Sequence, residues 1–230
     1  MRFLVFFALF LFVGCSGALG YAQRRIPLPP PRLESEVSVE EALLQRRSHR
    51  SFTPSPLSLQ EIAQLLWAAQ GVTDKASGFR TAPSAGALYP LEVYFVAGQV
   101  EDLSPGVYRY LPEEHALCEV LLGDRREELF RAALFQKWVK EAPGVLVFTA
   151  IYERTTRKYG ERGIRYVHME VGHAAQNVYL QAEALGLGTV VVGAFEDSGV
   201  QKALGLPVNE RPLYLMPVGR VKSEKRSGTD

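Results

Sequence analysis

Apolar residues recur at helical spacing in several stretches of the chain. In "LQEIAQLLWAAQ" they return every three or four positions, which predicts an amphipathic helix. Ser58 and Glu61 stand at the start of this stretch with the spacing of a capping box. Ser38 and Glu41 have the same spacing and predict a shorter helix that runs to about Arg47.

The longest amphipathic stretch is "GIRYVHMEVGHAAQNVYLQAEALG". Its apolar residues step by three and four positions, and further apolar residues on other faces predict a helix that is buried most of the way round. Gly172 lowers the helix propensity, but it lets another backbone or a flat ligand come close.

Other stretches have the length and composition of β-strands. "GVLVFTAIY" is a continuous apolar run, which predicts a central strand covered on both faces. "GVYRYLP" and "ALCEVLLG" predict two neighbouring strands of a hairpin, and "LEVYFVAG" and "RPLYLMPVGR" predict two more. Strands, hairpins and helices in this order favour one α+β layered domain, with a central mixed β-sheet flanked by helices.

The first 36 residues differ from the rest. One arginine precedes an apolar run that is too short to span a bilayer and fits the core of a signal peptide. We expect residues 1–22 to be a signal peptide, ending either before Cys15, as in a lipoprotein, or after Ala22. The protein would then be exported to the periplasm or anchored to a membrane by lipid on Cys15. Arg24 and Arg25 follow the apolar run and argue for the alternative, a cytoplasmic protein whose first segment is not a functional signal.

Proline and charged residues dominate residues 23–36. This composition predicts an extended tether outside the core, so we expect the folded domain to span residues 37–230.

Composition excludes several classes of protein. With 230 residues and 47% apolar residues, the chain suits one soluble domain. A net charge of +1 provides no global field for nucleic acid. Two cysteines exclude a disulfide framework, and Cys118 stands among apolar residues as a small core residue. His168 and His173 are about 140° apart around a helix, so they cannot share a metal ion, and we expect no metal site.

Positive charge is concentrated in "QRRSHRSF", at the predicted end of the first helix. A solvated helix end is one interpretation. The other is a phosphate pocket, since arginine offers a planar fork of donors to phosphate oxygens. The loop "RTAPSAGALYP" has small residues at Ser84, Ala85 and Gly86, which either form a simple turn or let a flat ligand approach the backbone.

Together with "GHAAQNVYLQAEALGLGTVVVGAF" and "PVGR", these segments resemble, in order and spacing, the nitroreductase-like flavoprotein family over about residues 38–220. The closest resemblance is to its SagB/ThcOx-type branch, flavin-dependent dehydrogenases that oxidise azoline rings in ribosomal peptides. The resemblance implies a nitroreductase-like α+β sandwich and a homodimer with two FMN molecules at the subunit interface.

The resemblance also implies roles for particular residues. The FMN phosphate and ribityl chain would be held by Arg46, Arg47, Ser48 and Arg50, with Arg220 as a second phosphate contact. The loop against the flavin, typically from the partner chain, would be Pro83, Ser84, Ala85, Gly86 and Leu88. The backbone facing the isoalloxazine ring would be Gly193 and Ala194. The alternatives are a strand-end turn at Gly193 and a surface arginine at Arg220.

Lys158 and Tyr159 match the Lys-Tyr pair of the azoline-dehydrogenase branch. Oxidation of such a ring passes a hydride to flavin N5 while a base removes a proton. A lysine whose pKa is lowered by burial, or a tyrosine beside a cation, can act as that base. The alternative is an ordinary dipeptide in a charged helix.

The resemblance therefore predicts an FMN-dependent oxidoreductase that acts on a small molecule or a peptide ring. Reduction of nitro or quinone compounds by NAD(P)H competes with dehydrogenation of azoline rings as its reaction. A non-catalytic exported binding protein that keeps the fold is the rival hypothesis.

Overall fold

A computed structural model describes residues 24–222 of the chain. Most of the predicted helices and strands are present, and a short 3₁₀ turn spans Ala85–Ala87. The helices are α1 (Val39–Gln45), α2 (Leu59–Gln70), α3 (Arg126–Ala132), α4 (Lys137–Glu141), α5 (Glu153–Tyr159), α6 (Arg162–Ala184) and α7 (Asp197–Leu204). The strands are β1 (Arg25–Pro27), β2 (Val72–Asp74), β3 (Phe79–Arg80), β4 (Leu91–Ala97), β5 (Gly106–Leu111), β6 (Ala116–Leu122), β7 (Gly144–Ala150), β8 (Gly188–Thr189) and β9 (Arg211–Gly219).

The main sheet has seven strands within residues 24–222, in the order β1-β6-β5-β4-β7-β9-β8. The α+β class is confirmed, but the sheet is not mixed, because every pairing between its named strands is antiparallel. β5 and β6 pair as the predicted hairpin. β7 is buried along its whole length between β4 and β9, which confirms the predicted central strand.

Two hydrophobic cores lie on opposite faces of this sheet. Successive residues of β7 enter them alternately, as the two-residue period of a strand requires: Leu146 and Phe148 join one core, Val145 and Val147 the other. The first core packs against α2 and α6, and the second against α3, α4 and α7. Helices on both faces make the sheet a rigid frame for the loops at its ends.

The helix signals in the sequence are largely confirmed. Ser58 and Glu61 form the complete capping box of α2. Ser38 caps α1, although that helix ends at Gln45, before the arginines. Within one chain α6 is not buried most of the way round, since Ile164 is 43% and Met169 51% exposed on its outer face.

The predicted tether is wrong for its described part, because the chain before Val37 belongs to the folded domain. Arg25–Pro27 adds strand β1 to the edge of the sheet beside β6, and Leu28 joins the core with 8% exposure. The Gln64 side chain accepts from the Arg32 N–H at 2.8 Å and donates to the Arg32 carbonyl at 3.0 Å. An edge strand tolerates proline, since one side of its backbone needs no partner.

The predicted signal peptide, residues 1–22 with Cys15, lies outside the described residues. Between residues 24 and 222, no helix has the length and apolar character needed to cross a membrane. Cys118 lies in β6 with 2% exposure, as expected of a small core residue.

Candidate functional site

The basic stretch leaves α1 and runs beside the end of the sheet, where Ser48 bridges to Thr189 of β8. The Arg46 guanidinium carbon lies 5.2 Å from the centroid of the Tyr179 ring on α6. The Arg50 guanidinium carbon lies 5.6 Å from the centroid of the Trp138 ring on α4. A guanidinium that contacts a ring through its face keeps its in-plane N–H groups for an anion.

Tyr179 joins this stretch to the segment after β8. Its hydroxyl oxygen lies 3.2 Å from the Ser48 hydroxyl and accepts the Val191 N–H at 2.8 Å. Val191 is followed by Val192, Gly193 and Ala194, and the side chain of Gln136, the residue before α4, donates to the Ala194 carbonyl at 2.9 Å.

One surface therefore carries five predicted residues, which we call the basic half-site: Arg46, Ser48, Arg50, Gly193 and Ala194. Gly193 is exposed, and a side chain there would find its nearest neighbour, Tyr214, only at 3.7 Å. The exposed backbone at Gly193 therefore leaves space for a flat ligand on the surface that carries Arg46 and Arg50.

Two other predicted phosphate ligands, Arg47 and Arg220, contact groups of their own chain. Arg47 donates to the carbonyls of Leu44 and Arg46, each at 2.9 Å, and so closes the C-terminal end of α1. Arg220 pairs with Glu61 at 2.9 Å and donates to the Pro56 carbonyl at 3.0 Å. The Arg220 guanidinium thus supports the capping box of α2, and its contact with a phosphate stays a prediction.

The small-residue loop has a strained backbone. Gly86, Ala87 and Tyr89 have φ values of 65°, 53° and 44°, in the left-handed region that favours glycine. The Ser84 hydroxyl oxygen accepts the Tyr89 N–H at 2.9 Å and closes the loop on itself. Pro83 at its start is exposed, and Leu88 at its end is half-buried.

The loop is pressed against the predicted catalytic pair. A Cβ atom at Gly86 would lie 2.7 Å from the Tyr159 hydroxyl and 3.0 Å from the Lys158 Nζ. Lys158 is exposed, and its Nζ lies 5.4 Å from the centroid of the Tyr159 ring. The arrangement is that of a tyrosine beside a cation, not of a buried lysine.

A cavity of about 250 Å³ lies beside this loop, between it and α6. We call the loop, Lys158, Tyr159 and this cavity the loop half-site. The cavity is lined by Pro83, Ser84, Ala85, Tyr166, Met169, Glu170 and His173. Tyr166 also packs edge-on against Tyr159, with ring centroids 5.2 Å apart.

Glu170 was missed by sequence reasoning. It is 3% exposed, and its Oε1 atom has no hydrogen-bond partner within residues 24–222. Burial raises the pKa of this carboxyl to about 7, against the opposing effects of a hydrogen bond with Ser84 and the charge of Arg80. A signal was present, because Glu170 interrupts the apolar face that contains Val167, Val171 and Ala174.

The histidines of α6 face different neighbours. His173 lines the cavity, whereas the His168 Nε2 lies 2.6 Å from the Tyr152 hydroxyl. Over the described part of the chain, His, Cys, Asp and Glu form no group of three or more that could hold a metal ion.

In one chain the two half-sites are apart. The basic half-site contacts α6 at Tyr179, and the loop half-site contacts it from Tyr166 to His173. Tyr166, Glu170 and His173 precede Tyr179 by 13, 9 and 6 residues, which corresponds to about 9–20 Å along the helix axis.

Comparison with known proteins places the chain among flavin enzymes. The family model described as "Nitroreductase family" matches residues 43–220. The chain is 54% identical over 185 residues to the nitroreductase-like protein MJ1384 of Methanocaldococcus jannaschii, covering 80% of this chain and 92% of that protein. It is 34% identical over 176 residues to the microcin B17-processing protein McbC of Escherichia coli, covering 74% of this chain but only 64% of McbC.

Solved structures agree with this grouping. A nitroreductase-like protein from Ralstonia eutropha has a TM-score of 0.77 and 32% identity, over 90% of this chain and 94% of that one. A chain of the E. coli microcin synthetase McbBCD complex has a TM-score of 0.67 and 30% identity, over 85% of this chain and 78% of that one. The family relation implies a flavin-dependent oxidoreductase.

Proposed function

Because the chain belongs to the nitroreductase family, we propose that it is an FMN-dependent oxidoreductase that works as a homodimer. The resemblance found in the sequence is confirmed at the level of the family and the fold. The observation that carries the proposal is the link that Tyr179 makes between the basic stretch and the segment before Gly193.

The residues of the basic half-site fit the phosphate end of FMN. The guanidinium groups of Arg46 and Arg50 lie over the rings of Tyr179 and Trp138, and the hydroxyl of the exposed Ser48 lies beside the Tyr179 hydroxyl. These three groups would bind the phosphate and ribityl chain. Gly193 and Ala194 would face the ring, because both residues are exposed and neither has a side chain larger than a methyl group.

The separation of the half-sites supports a dimer. We infer that the basic half-site of one protomer and the loop half-site of its partner together enclose each flavin. Exposed apolar residues on α1 and α6 offer a surface that a second copy of the chain would bury. They include Val39, Leu43, Leu44 and Met169, which are 64%, 54%, 70% and 51% exposed.

The loop half-site supports dehydrogenation as the reaction. The flavin, when bound, supplies hydride transfer through its N5 position. Oxidation of an azoline-type ring also releases a proton, and Tyr159, with Lys158 beside its ring, is the group of this chain placed to accept it. Such a SagB-type role accords with the 34% identity to McbC, whose name describes microcin processing.

Two alternative functions would differ from this one in their use of the flavin and of Lys158. Reduction of nitro or quinone compounds by NAD(P)H would use the same flavin without needing Lys158. A non-catalytic binding protein would keep the fold without redox turnover. The contact of Gly86 with both Lys158 and Tyr159 favours dehydrogenation over either alternative.

Export is a separate proposal. We infer from the short apolar run that residues 1–22 direct the chain out of the cytoplasm, with lipid on Cys15 as one outcome. Fractionation of cells, with mass spectrometry of the mature N-terminus, tests it. A protein that keeps Met1 and stays in the cytoplasm would overturn it.

A flavin spectrum tests the proposed function. The purified protein should be yellow, and acid should release FMN that mass spectrometry identifies. Anaerobic NADPH that bleaches the flavin bands would support the reductase reaction, whereas bleaching only by an azoline-containing peptide would support the dehydrogenase. Colourless protein that stays colourless with added FMN would contradict the proposal.

A further inference from the structure

The main sheet opens into a fork between β4 and β5. The two strands stop pairing at Tyr94 and Arg109, although β4 begins three residues earlier, at Leu91, and β5 ends two residues later, at Leu111. Over the open stretch β4 still pairs with β7, and β5 with β6, so each strand turns one edge toward the gap. Within residues 24–222, no strand fills this gap. Backbone N–H and C=O groups at an open strand edge can pair with an extended chain.

A cavity of about 490 Å³ lies in this fork, between residues of both strands. It borders Leu88 and Tyr89 at the end of the small-residue loop, and so adjoins the loop half-site. Its charged lining residues are Arg80, Glu92, Arg109, Glu113 and Arg154. Three arginines against two glutamates give the cavity a surplus of one positive charge.

Arg80 is a largely buried cation whose charge is poorly compensated. Its side chain is 14% exposed, and its ion pair with Glu113 is a contact of 3.7 Å to a side chain that is 65% exposed. The charge of Glu170 also acts on Arg80, but burial raises the pKa of that carboxyl to about 7, so it is partly neutral. The Arg80 Nε has no hydrogen-bond partner within the described part of the chain. Because a buried charge without a close counter-ion is costly, this wall favours an added anion.

Gln70 supplies a second donor on the same wall. It is 1% exposed, and its Oε1 accepts from Arg80 at 3.2 Å, whereas its Nε2 has no partner among the described residues. Arg154, by contrast, already pairs with Glu92 and donates to the Tyr89 carbonyl at 2.9 Å. Buried donors without acceptors are rare in native proteins, and a carboxylate offers two acceptor oxygens. The chemistry of this wall therefore suits a carboxylate better than a cation or an apolar group.

We propose that the fork between β4 and β5 binds an extended peptide segment of the substrate, and that Arg80 and Arg109 hold a carboxylate of that segment. The inference rests on the proposed function, in which the protein oxidises a ring in a peptide. It adds the substrate class, which is a peptide with an acidic side chain or a free C-terminus near the ring. The peptide backbone would pair with the open strand edges, and the arginines would select for the charge.

Binding of three synthetic peptides to the protein as purified tests this inference, with isothermal titration calorimetry as the measurement. Each is a heptapeptide with a thiazoline ring at its centre. The first has a glutamate after the ring and an amidated C-terminus, the second has a glutamine in its place, and the third has that glutamine and a free C-terminal carboxylate. The first or the third should bind about tenfold more tightly than the second, because a charge-assisted contact is gained. The tighter of the two identifies the source of the carboxylate.

Substitutions in the fork should change this preference in opposite directions. Arg80→Gln and Arg109→Gln should each reduce it to about threefold or less, because one contact with the carboxylate is lost. Glu113→Gln removes a competing acid at an exposed position and should tighten the acidic peptide about threefold, which keeps the test valid if an arginine variant fails to fold. Arg131→Gln, which removes an arginine paired with Glu127 on α3, is the matched control and should keep the wild-type preference.

Three results would overturn the inference. The first is equal binding of all three peptides to the wild type. The second is a preference that survives in both arginine variants, or an acidic peptide that binds more weakly to Glu113→Gln. The third is a loss of NADPH binding, but not of peptide binding, in the arginine variants, because the anion would then be a dinucleotide phosphate.

Flavin content of the same samples separates this inference from the proposed function. Selective binding of an acidic peptide by protein that contains no flavin would contradict the proposed function and support the fork as a peptide site. Flavin-loaded protein that binds none of the peptides, or all three equally, would contradict the role of the fork alone.

Discussion

The two half-sites differ in how completely one chain builds them. In the basic half-site, Ser48 and Val191 are joined through Tyr179, and the arginines rest on rings of α6 and α4. In the loop half-site, three residues have left-handed backbone and a buried carboxyl oxygen has no partner in residues 24–222. The first half is ready to bind an anion, whereas the second stores strain beside an open cavity. The difference supports the proposal that one chain supplies two unlike parts of a site that is completed in a dimer.

Removal of the arginines should have the largest effect. Arg46→Ala combined with Arg50→Ala deletes two charge-assisted contacts worth about 1.5–3 kcal/mol each, so FMN should bind at least ~100-fold more weakly. Equilibrium dialysis with FMN measures this. Arg131→Ala, which removes a surface arginine paired with Glu127 on α3, should leave the affinity unchanged. Equal affinity in the double variant would place the phosphate elsewhere.

A side chain at Gly86 should disturb the other half-site. Gly86→Val puts a β-branched residue at a φ of 65° and drives its Cβ into Tyr159. We expect the loop to move, the free energy of unfolding to fall by about 2–4 kcal/mol, and FMN to bind at least ~10-fold more weakly. Urea denaturation and dialysis measure the two effects.

Gly78→Val is the matched control for Gly86, because its φ is 70° and nothing lies within 4 Å of the new Cβ. It should show the backbone strain without the collision and should not affect FMN. Identical behaviour of the two variants would mean that the contact with Tyr159 is irrelevant.

The stability of the protein should report the ionisation of Glu170. Its pKa is about 7 when folded, above the ordinary 4.5, so the stabilisation of the folded state by the neutral acid is complete below about pH 4.5 and is lost as pH rises through about 7. Relative to Glu170→Gln, the wild type should lose on the order of 3 kcal/mol across this window. Denaturation at several pH values measures the difference, in which the contribution of other groups cancels. A difference independent of pH would mean that Glu170 titrates normally.

The smallest effect is expected from Tyr179→Phe. It removes the hydroxyl that joins Ser48 to the Val191 N–H and should cost about 1 kcal/mol of stability and a few-fold in FMN affinity. Tyr152→Phe also loses one hydrogen bond, to His168, but lies outside both half-sites and should leave FMN binding intact. If both variants bind FMN alike, Tyr179 does not hold the basic half-site together.

Local patterns in the sequence were sufficient for the elements with strong signals. The capping box at Ser58 and the apolar run of β7 identify a helix start and a central strand, because neither depends on distant residues. The tether over residues 23–36 was predicted from composition alone. A proline-rich sequence indicates an extended backbone, but it does not reveal that this backbone pairs with an open edge of the sheet. The break between α3 and α4 falls at Leu134 and Phe135, whose left-handed backbone has no signature in those residue types.

The residues of the candidate site, like the helices and strands, could be predicted only in part. The resemblance identified the segments, and the structure joins most of them into two surfaces. The pairing of Arg220 with Glu61 is a tertiary contact that spacing does not reveal, whereas Arg47 binds carbonyls at the end of its own helix. Glu170 could have been found, because an acid on an apolar helix face is a conflict that asks for an explanation.

Mixing the two defective chains decides whether each site is shared between protomers. The Arg46→Ala/Arg50→Ala chain keeps an intact loop half-site, and the Gly86→Val chain keeps an intact basic half-site. After denaturation and refolding together, half of the dimers should be mixed, each with one intact composite site, so FMN binding should return to about a quarter of the wild-type sites. Mixed dimers that form, as mass spectrometry would show, yet bind no FMN would contradict a shared site and place both halves within one chain.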